Sequence, residues 1–99
     1  MAKLVRDLIP QVVPADKQHL YKFSEVNEAQ YAILLKNKLL EEVNEYLEAE
    51  NEEELADILE VMDALMKQQN FEKEEVLAIQ KQKREERGGF EKRILMEKV

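Results

Sequence analysis

The sequence predicts an all-α protein. Three observations carry that. Apolar residues recur at spacings of three and four over long stretches, which puts them on one side of a helix. Charged residues make up 37% of the chain and fill the positions between them. Only two glycines and two prolines occur in 99 residues, too few for the turns that a sheet protein needs. Residues 1–99 are short enough to make one domain.

Residues 1–14, MAKLVRDLIPQVVP, form an opening segment. Leu4, Leu8 and Val12 share helical spacing, but Pro10 and Pro14 limit regular helix. Short helical turns are expected, with the apolar residues packed inward and Lys3, Arg6 and Asp7 in solvent. Residues 15–26 read as a connection of moderate polarity with no repeat.

The first long helix is expected over about 27–49. Ala32, Leu35, Leu39, Val43 and Tyr46 make its seam, and Ile33, Leu34, Leu40 and Leu47 widen it. A helix apolar on more than one side is covered on more than one side. The second is expected over about 52–69, on Leu55, Ile58, Leu59, Val61, Met62, Leu65 and Met66. Glu48, Glu50 and Asn51 suit the bend between them, with Asn51 as a cap. Asn70 is expected to end the second helix and to be a candidate cap for a third over about 72–87. That helix is apolar early, at Val76, Leu77 and Ile79, and charged late. Gly88-Gly89 stops it. Phe90 is expected to anchor the tail on an apolar surface. Three helices of this width cannot bury their own apolar faces, so an oligomeric four-helix-type bundle is expected, a homodimer or homotetramer.

Bulk composition removes several functions. Net charge is −7, which argues against a nucleic-acid partner. No apolar run is long enough to cross a membrane, and the opening apolar stretch is broken by Arg6, Asp7 and Pro10, unlike a signal peptide. Cysteine is absent, so disulfides, thiolate catalysis and Cys-zinc sites are excluded; this fits a cytoplasmic protein. His19 is the single histidine and forms no ExxH pair, which argues against a ferritin-like di-iron centre. No Walker-type loop is present.

The chemistry concentrates in residues 38–57. Lys38, Glu41, Glu42 and Glu45 read KxxEExxE, and Glu54 with Asp57 reads ExxD. At about 100° per residue, Glu42 shares a face with Leu35, Leu39 and Tyr46. Glu45 lies about 60° to one side, one turn on. Glu54 lines up with Ile58, Val61 and Leu65, and Asp57 borders that stripe. Glu41 sits about 100° from Glu42, so it either assists through water or is merely solvated. Glu53, Glu60 and Asp63 face away.

Carboxylates beside apolar faces are costly without a cation. In an antiparallel hairpin, residues equidistant from the bend meet, so both acid pairs should converge. Oxygen-only ligands suit Mg²⁺, with Mn²⁺ as the other choice. Glu42, Glu45, Glu54 and Asp57 are the candidate metal ligands. A competing use exists for Glu54: Asn51 to Glu54 is a capping-box spacing, which would leave Asp57 on the rim. Lys38 is either a phosphate contact or a helical partner of Glu42. Lys3 and Arg6 are either a phosphate clamp or surface charge. Arg84, Arg87, Gly88 and Gly89 are either an anion-binding lip or a helix end.

The KxxEExxE and ExxD pair resembles the all-α nucleoside triphosphate pyrophosphohydrolase superfamily, the MazG-like and phosphoribosyl-ATP pyrophosphohydrolase-like proteins. The opening Lys3-Leu4-Val5-Arg6-Asp7-Leu8-Ile9-Pro10 and the closing Arg87-Gly88-Gly89-Phe90 resemble a small-protein branch of it. The matched stretches touch both ends and the middle, under half of the residues. The resemblance implies Mg²⁺-dependent cleavage of a nucleotide between its α and β phosphates, in nucleotide house-cleaning. It implies metal ligands at Glu42, Glu45, Glu54 and Asp57. Glu41, Glu42 and Lys38 are then the candidate catalytic residues. Lys3, Arg6, Lys38, Arg84, Arg87, Gly88 and Gly89 are the candidates for substrate binding. Phosphoribosyl-ATP as substrate, or a non-catalytic helical module of the same fold with a regulatory or partner-binding role, are the alternatives.

Overall fold

The computed structural model describes residues 2–99. Among these residues there is no strand, as an all-α chain requires. The elements are α1 (Ile9–Val12), a 3₁₀ helix (Ala15–Leu20), α2 (Glu28–Ala49), α3 (Glu52–Gln68) and α4 (Lys73–Arg87).

The hairpin of α2 and α3 is the centre of the fold. Asn27 starts α2 with a reciprocal cap. Its side chain accepts the Gln30 N–H at 2.8 Å, and the Gln30 side chain accepts the Asn27 N–H at 3.3 Å. Two otherwise orphaned donors are satisfied at once. The helix ends at Glu50, which turns left-handed at φ 50° while its N–H bonds the Tyr46 carbonyl at 2.7 Å. Asn51 then opens α3 by accepting the Glu54 N–H at 3.0 Å. Two residues therefore reverse the chain, and α2 and α3 pack along each other. Leu35 and Val61 are buried at their contact, and so is Glu42, a charged residue on the same side as Leu35.

Within the connection of residues 15–26, residues 15–20 form a 3₁₀ helix. Pro14 fixes the backbone ahead of it and accepts the Lys17 N–H at 2.9 Å, so short-range bonds close where no helical repeat is written. Three expectations need correction. Leu8 and Val12 do not pack inward; both stay exposed, because a four-residue helix is too short to lay a stripe on the hairpin. Asn70 does not cap α4. It sits left-handed at φ 59° and closes α3, with the Phe71 N–H reaching back to the Met66 carbonyl at 2.8 Å. Glu72 precedes α4 without a side-chain cap bond. Phe90 is 98% exposed and anchors on no apolar surface among the described residues.

That last point follows from the course of α4. Lys73 pairs with Asp63 at 3.1 Å, and Phe71 and Val76 face Met62, Leu65 and Met66 across an apolar hollow. Beyond this start α4 packs along no other helix. The molecule is accordingly elongated, 56 × 31 × 26 Å.

Candidate metal centre

Glu42 is the hub of the acid group. Carboxylate oxygens of Glu42, Glu54 and Asp57 lie within 4.8 Å of one another, and so do those of Glu41, Glu42 and Glu45. The first trio spans both helices and the second lies on α2 alone. Both contain Glu42. Its position follows from helical geometry: it is seven residues after Leu35, nearly two turns, so it returns to the face that α3 covers.

The burial of this carboxylate has a consequence. Glu42 is only 6% exposed, and its Oε2 has no hydrogen-bond partner; Glu54 Oε2 is buried and unpartnered too. Buried acceptors left without a donor are rare in proteins and costly. The competing cap at Asn51 is half made: the Asn51 side chain accepts the Glu54 N–H, but the Glu54 carboxylate accepts no bond from the Asn51 N–H. It stays free to face Glu42. All of the unpartnered groups are hard oxygens, as a hard divalent cation requires. The donor set could therefore hold a metal ion.

Three basic residues border the group. Lys38 Nζ is 3.0 Å from Glu41 Oε2 and 3.3 Å from Glu42 Oε1. The opening segment supplies the other two. Lys3 Nζ lies 3.1 Å from Glu41 Oε1, and an Arg6 guanidinium nitrogen lies 2.6 Å from Asp57 Oδ1. The residues between 2 and 8 thus cross the hairpin at the acid group, one cation on each helix. Lys3, Lys38 and Glu41 also line a cavity of about 60 Å³ between this segment and α2, together with Asn37. Nothing in the sequence pattern marks Asn37, which lies one turn before Glu41 and outside both motifs.

These contacts set the proton affinities. Burial pushes the Glu42 carboxyl above the usual glutamate range. Lys38 opposes that, while Glu45 and Asp57 add to it by repulsion. Burial acts the same way on Glu41, but hydrogen bonds from Lys38 and Lys3 outweigh it and hold its carboxyl low. Burial also disfavours the charge on Lys38; its two glutamate partners overcome this, and its pKa ends above the ordinary lysine value.

The C-terminal candidates lie apart from the acid group. Arg84 pairs with Glu91 at 2.7 Å and shares no ion pair with an acid of the hairpin. Arg87 is the last residue of α4. Gly88 ends the helix at φ 81° and ψ 179°, a conformation essentially reserved for glycine, with its N–H on the Arg84 carbonyl at 2.8 Å. A Cβ on Gly89 would meet only the ends of the exposed Arg84 and Glu91 side chains, which can swing aside. Within one chain, then, Gly88 has a structural use at the exit of α4.

No protein-family model, no curated protein and no solved structure matches the chain. Among the described residues, no helix is long and apolar enough to cross a membrane.

Proposed function

We propose that the chain is a Mg²⁺-dependent nucleoside triphosphate pyrophosphohydrolase, cleaving between the α and β phosphates to release a nucleoside monophosphate and pyrophosphate. One observation carries this reading: a buried glutamate, Glu42, with an unpartnered oxygen, shared by two groups of acids on two helices. The resemblance of KxxEExxE and ExxD to the pyrophosphohydrolase superfamily supports it.

Glu42, Glu45, Glu54 and Asp57 would hold the ion, with Glu41 at the edge. A divalent cation bound there supplies neutralising charge for the phosphates and a lowered pKa for water. The chain's own residues do the rest. Lys38 keeps Glu41 and Glu42 oriented by bonding both. Glu41 borders the acid group and the Lys3 cavity, so it lies where it can accept a proton from water between them. Lys3, Lys38 and Arg6 give an acidic protein the local positive charge that a polyphosphate needs. Phosphoryl transfer asks for little covalent help, so positioning and charge suffice.

The test is pyrophosphate release across canonical and modified nucleoside triphosphates and phosphoribosyl-ATP, with Mg²⁺ and with Mn²⁺. Release that requires the metal, and that disappears in Glu42→Gln and Asp57→Asn, is the expected result. No release from any of them by folded protein at millimolar metal would refute the proposal.

A further inference from the structure

The opening segment sets one cation against each of the two acid trios. Lys3 meets Glu41, of the trio on α2, at 3.1 Å. Arg6 meets Asp57, of the trio that spans both helices, at 2.6 Å. The guanidinium thus occupies an oxygen of a candidate metal ligand.

Little else holds it there. The Arg6 side chain is 56% exposed, and Asp57 is its one ion-pair partner among the described residues. Residues 2–5 make no backbone hydrogen bond to the hairpin among the described residues. The segment is fixed behind Arg6, whose carbonyl accepts the Ile9 N–H at 3.0 Å where α1 begins. Lys38 is placed differently. It is 17% exposed and bonds Glu41 as well as Glu42. Its contact with Glu42 is on Oε1, and the buried Oε2 is left without a partner.

Charge decides which of the two bases yields to a metal. A divalent cation and a guanidinium on one carboxylate repel each other. At roughly 6 Å that repulsion weakens metal binding about tenfold even at the dielectric of water. An exposed ion pair holds its partners together by only about two- to fivefold. Letting Arg6 go therefore costs less than keeping it. Lys38, with two partners and little access to water, stays.

We propose that Arg6 is a displaceable counter-ion. In the metal-free protein it neutralises Asp57. A divalent cation that takes Asp57 expels it, and the freed guanidinium remains at the rim of the site, tethered to α1, where a phosphate group can pair with it. Metal then binds before polyphosphate, because without metal Arg6 is engaged by its own chain. The inference rests on the acid group being a metal site and not on the reaction catalysed there.

Solution NMR of the full ¹⁵N-labelled chain, with Mg²⁺ alone as the probe, tests it. The Arg6 guanidinium is identified by its loss in Arg6→Gln. In the metal-free wild type it should give the separate Nη signals of a paired group whose rotation is hindered. Saturating Mg²⁺ should merge them into the averaged signal of a free arginine. Calorimetry gives the second readout. Arg6→Gln should bind Mg²⁺ about two- to fivefold more tightly than the wild type, since no pair has to be broken first. Lys3→Gln should change Mg²⁺ binding less, because its partner lies outside the trio that contains Asp57. Mg²⁺ that binds while the Arg6 signals stay separate overturns this inference and leaves the metal site standing. So does an Arg6 signal already averaged without metal, and so does an Arg6→Gln variant that binds Mg²⁺ no more tightly than the wild type. A wild type that binds no Mg²⁺ at millimolar concentration overturns the inference and the metal site together.

Discussion

Glu42→Gln keeps the shape of the hub and removes its charge, and the structure sets the size of the effect. Carboxylate oxygens of Glu54 and Asp57 come within 4.8 Å of Glu42, and at an effective dielectric of about 20 each such pair repels by at least about 3.5 kcal/mol. Lys38 at 3.3 Å attracts by about 5 kcal/mol on the same scale. The substitution removes both repulsions and the one attraction, a net gain of about 2 kcal/mol. Glu45, equally near but more exposed than Glu42, and Glu41, equally near but paired with Lys3 and Lys38, add only screened repulsions that act in the same direction. The new amide N–H group, left without a partner, takes back about 1 kcal/mol. The metal-free variant should therefore melt about 4 °C or more above the wild type. With divalent cation the order reverses. A site at one hundred times its dissociation constant stabilises by about 2.7 kcal/mol, which is about 11 °C or more for a domain of this size. The wild type should show that shift in Mg²⁺, and the variant less than half of it. Thermal melting by circular dichroism, with and without millimolar Mg²⁺, reads both numbers. Equal metal-free melting points and equal Mg²⁺ shifts would refute the assignment of Glu42 as a buried, cation-seeking carboxylate.

Three further outcomes follow from the contacts. Arg6→Gln breaks an exposed pair with Asp57, so unfolding free energy should fall by less than about 0.5 kcal/mol. On the proposed pyrophosphohydrolase reading, the KM for a nucleotide, from pyrophosphate release, should instead rise about tenfold or more; a large stability loss with unchanged KM would make Arg6 a structural tie. Asn51→Ala removes the cap on α3 and should cost about 1 kcal/mol in denaturant unfolding. The pH dependence has a worked sign. Glu42, facing Lys38, Glu45, Glu54 and Asp57, has a folded pKa above its unfolded value. Its ionised form destabilises the fold, and that penalty is relieved as pH falls through the raised pKa. Glu41 is held low, so its contribution is lost only as pH falls further, below the ordinary glutamate value. Metal-free stability should thus increase from neutral into mildly acid pH and then decline, and urea midpoints across pH 3–8 would show it.

The helices were legible in the sequence because their signals are local. Periodicity at three and four, Asn51 before an acidic turn and Gly88 after Arg87 each act within a few residues, through backbone geometry and short hydrogen bonds. The acid group was legible for the same reason: once α2 and α3 form a two-residue hairpin, Glu42, Glu54 and Asp57 have little freedom to lie elsewhere. What the sequence leaves open depends on contacts between distant residues. Whether Lys3 and Arg6 are surface charges or neighbours of the acids is set by the path of the opening segment across the hairpin, and only the tertiary structure joins Arg6 to Asp57 and Lys3 to Glu41. The same holds for Asn37, which belongs to a cavity and to no motif. Phe90 shows the limit most plainly. An aromatic after a helix-ending glycine pair predicts an apolar contact, but the prediction cannot say which surface. The fold sends α4 away from its own hairpin and leaves that ring in solvent, because a contact needs a partner in space and not a pattern in sequence.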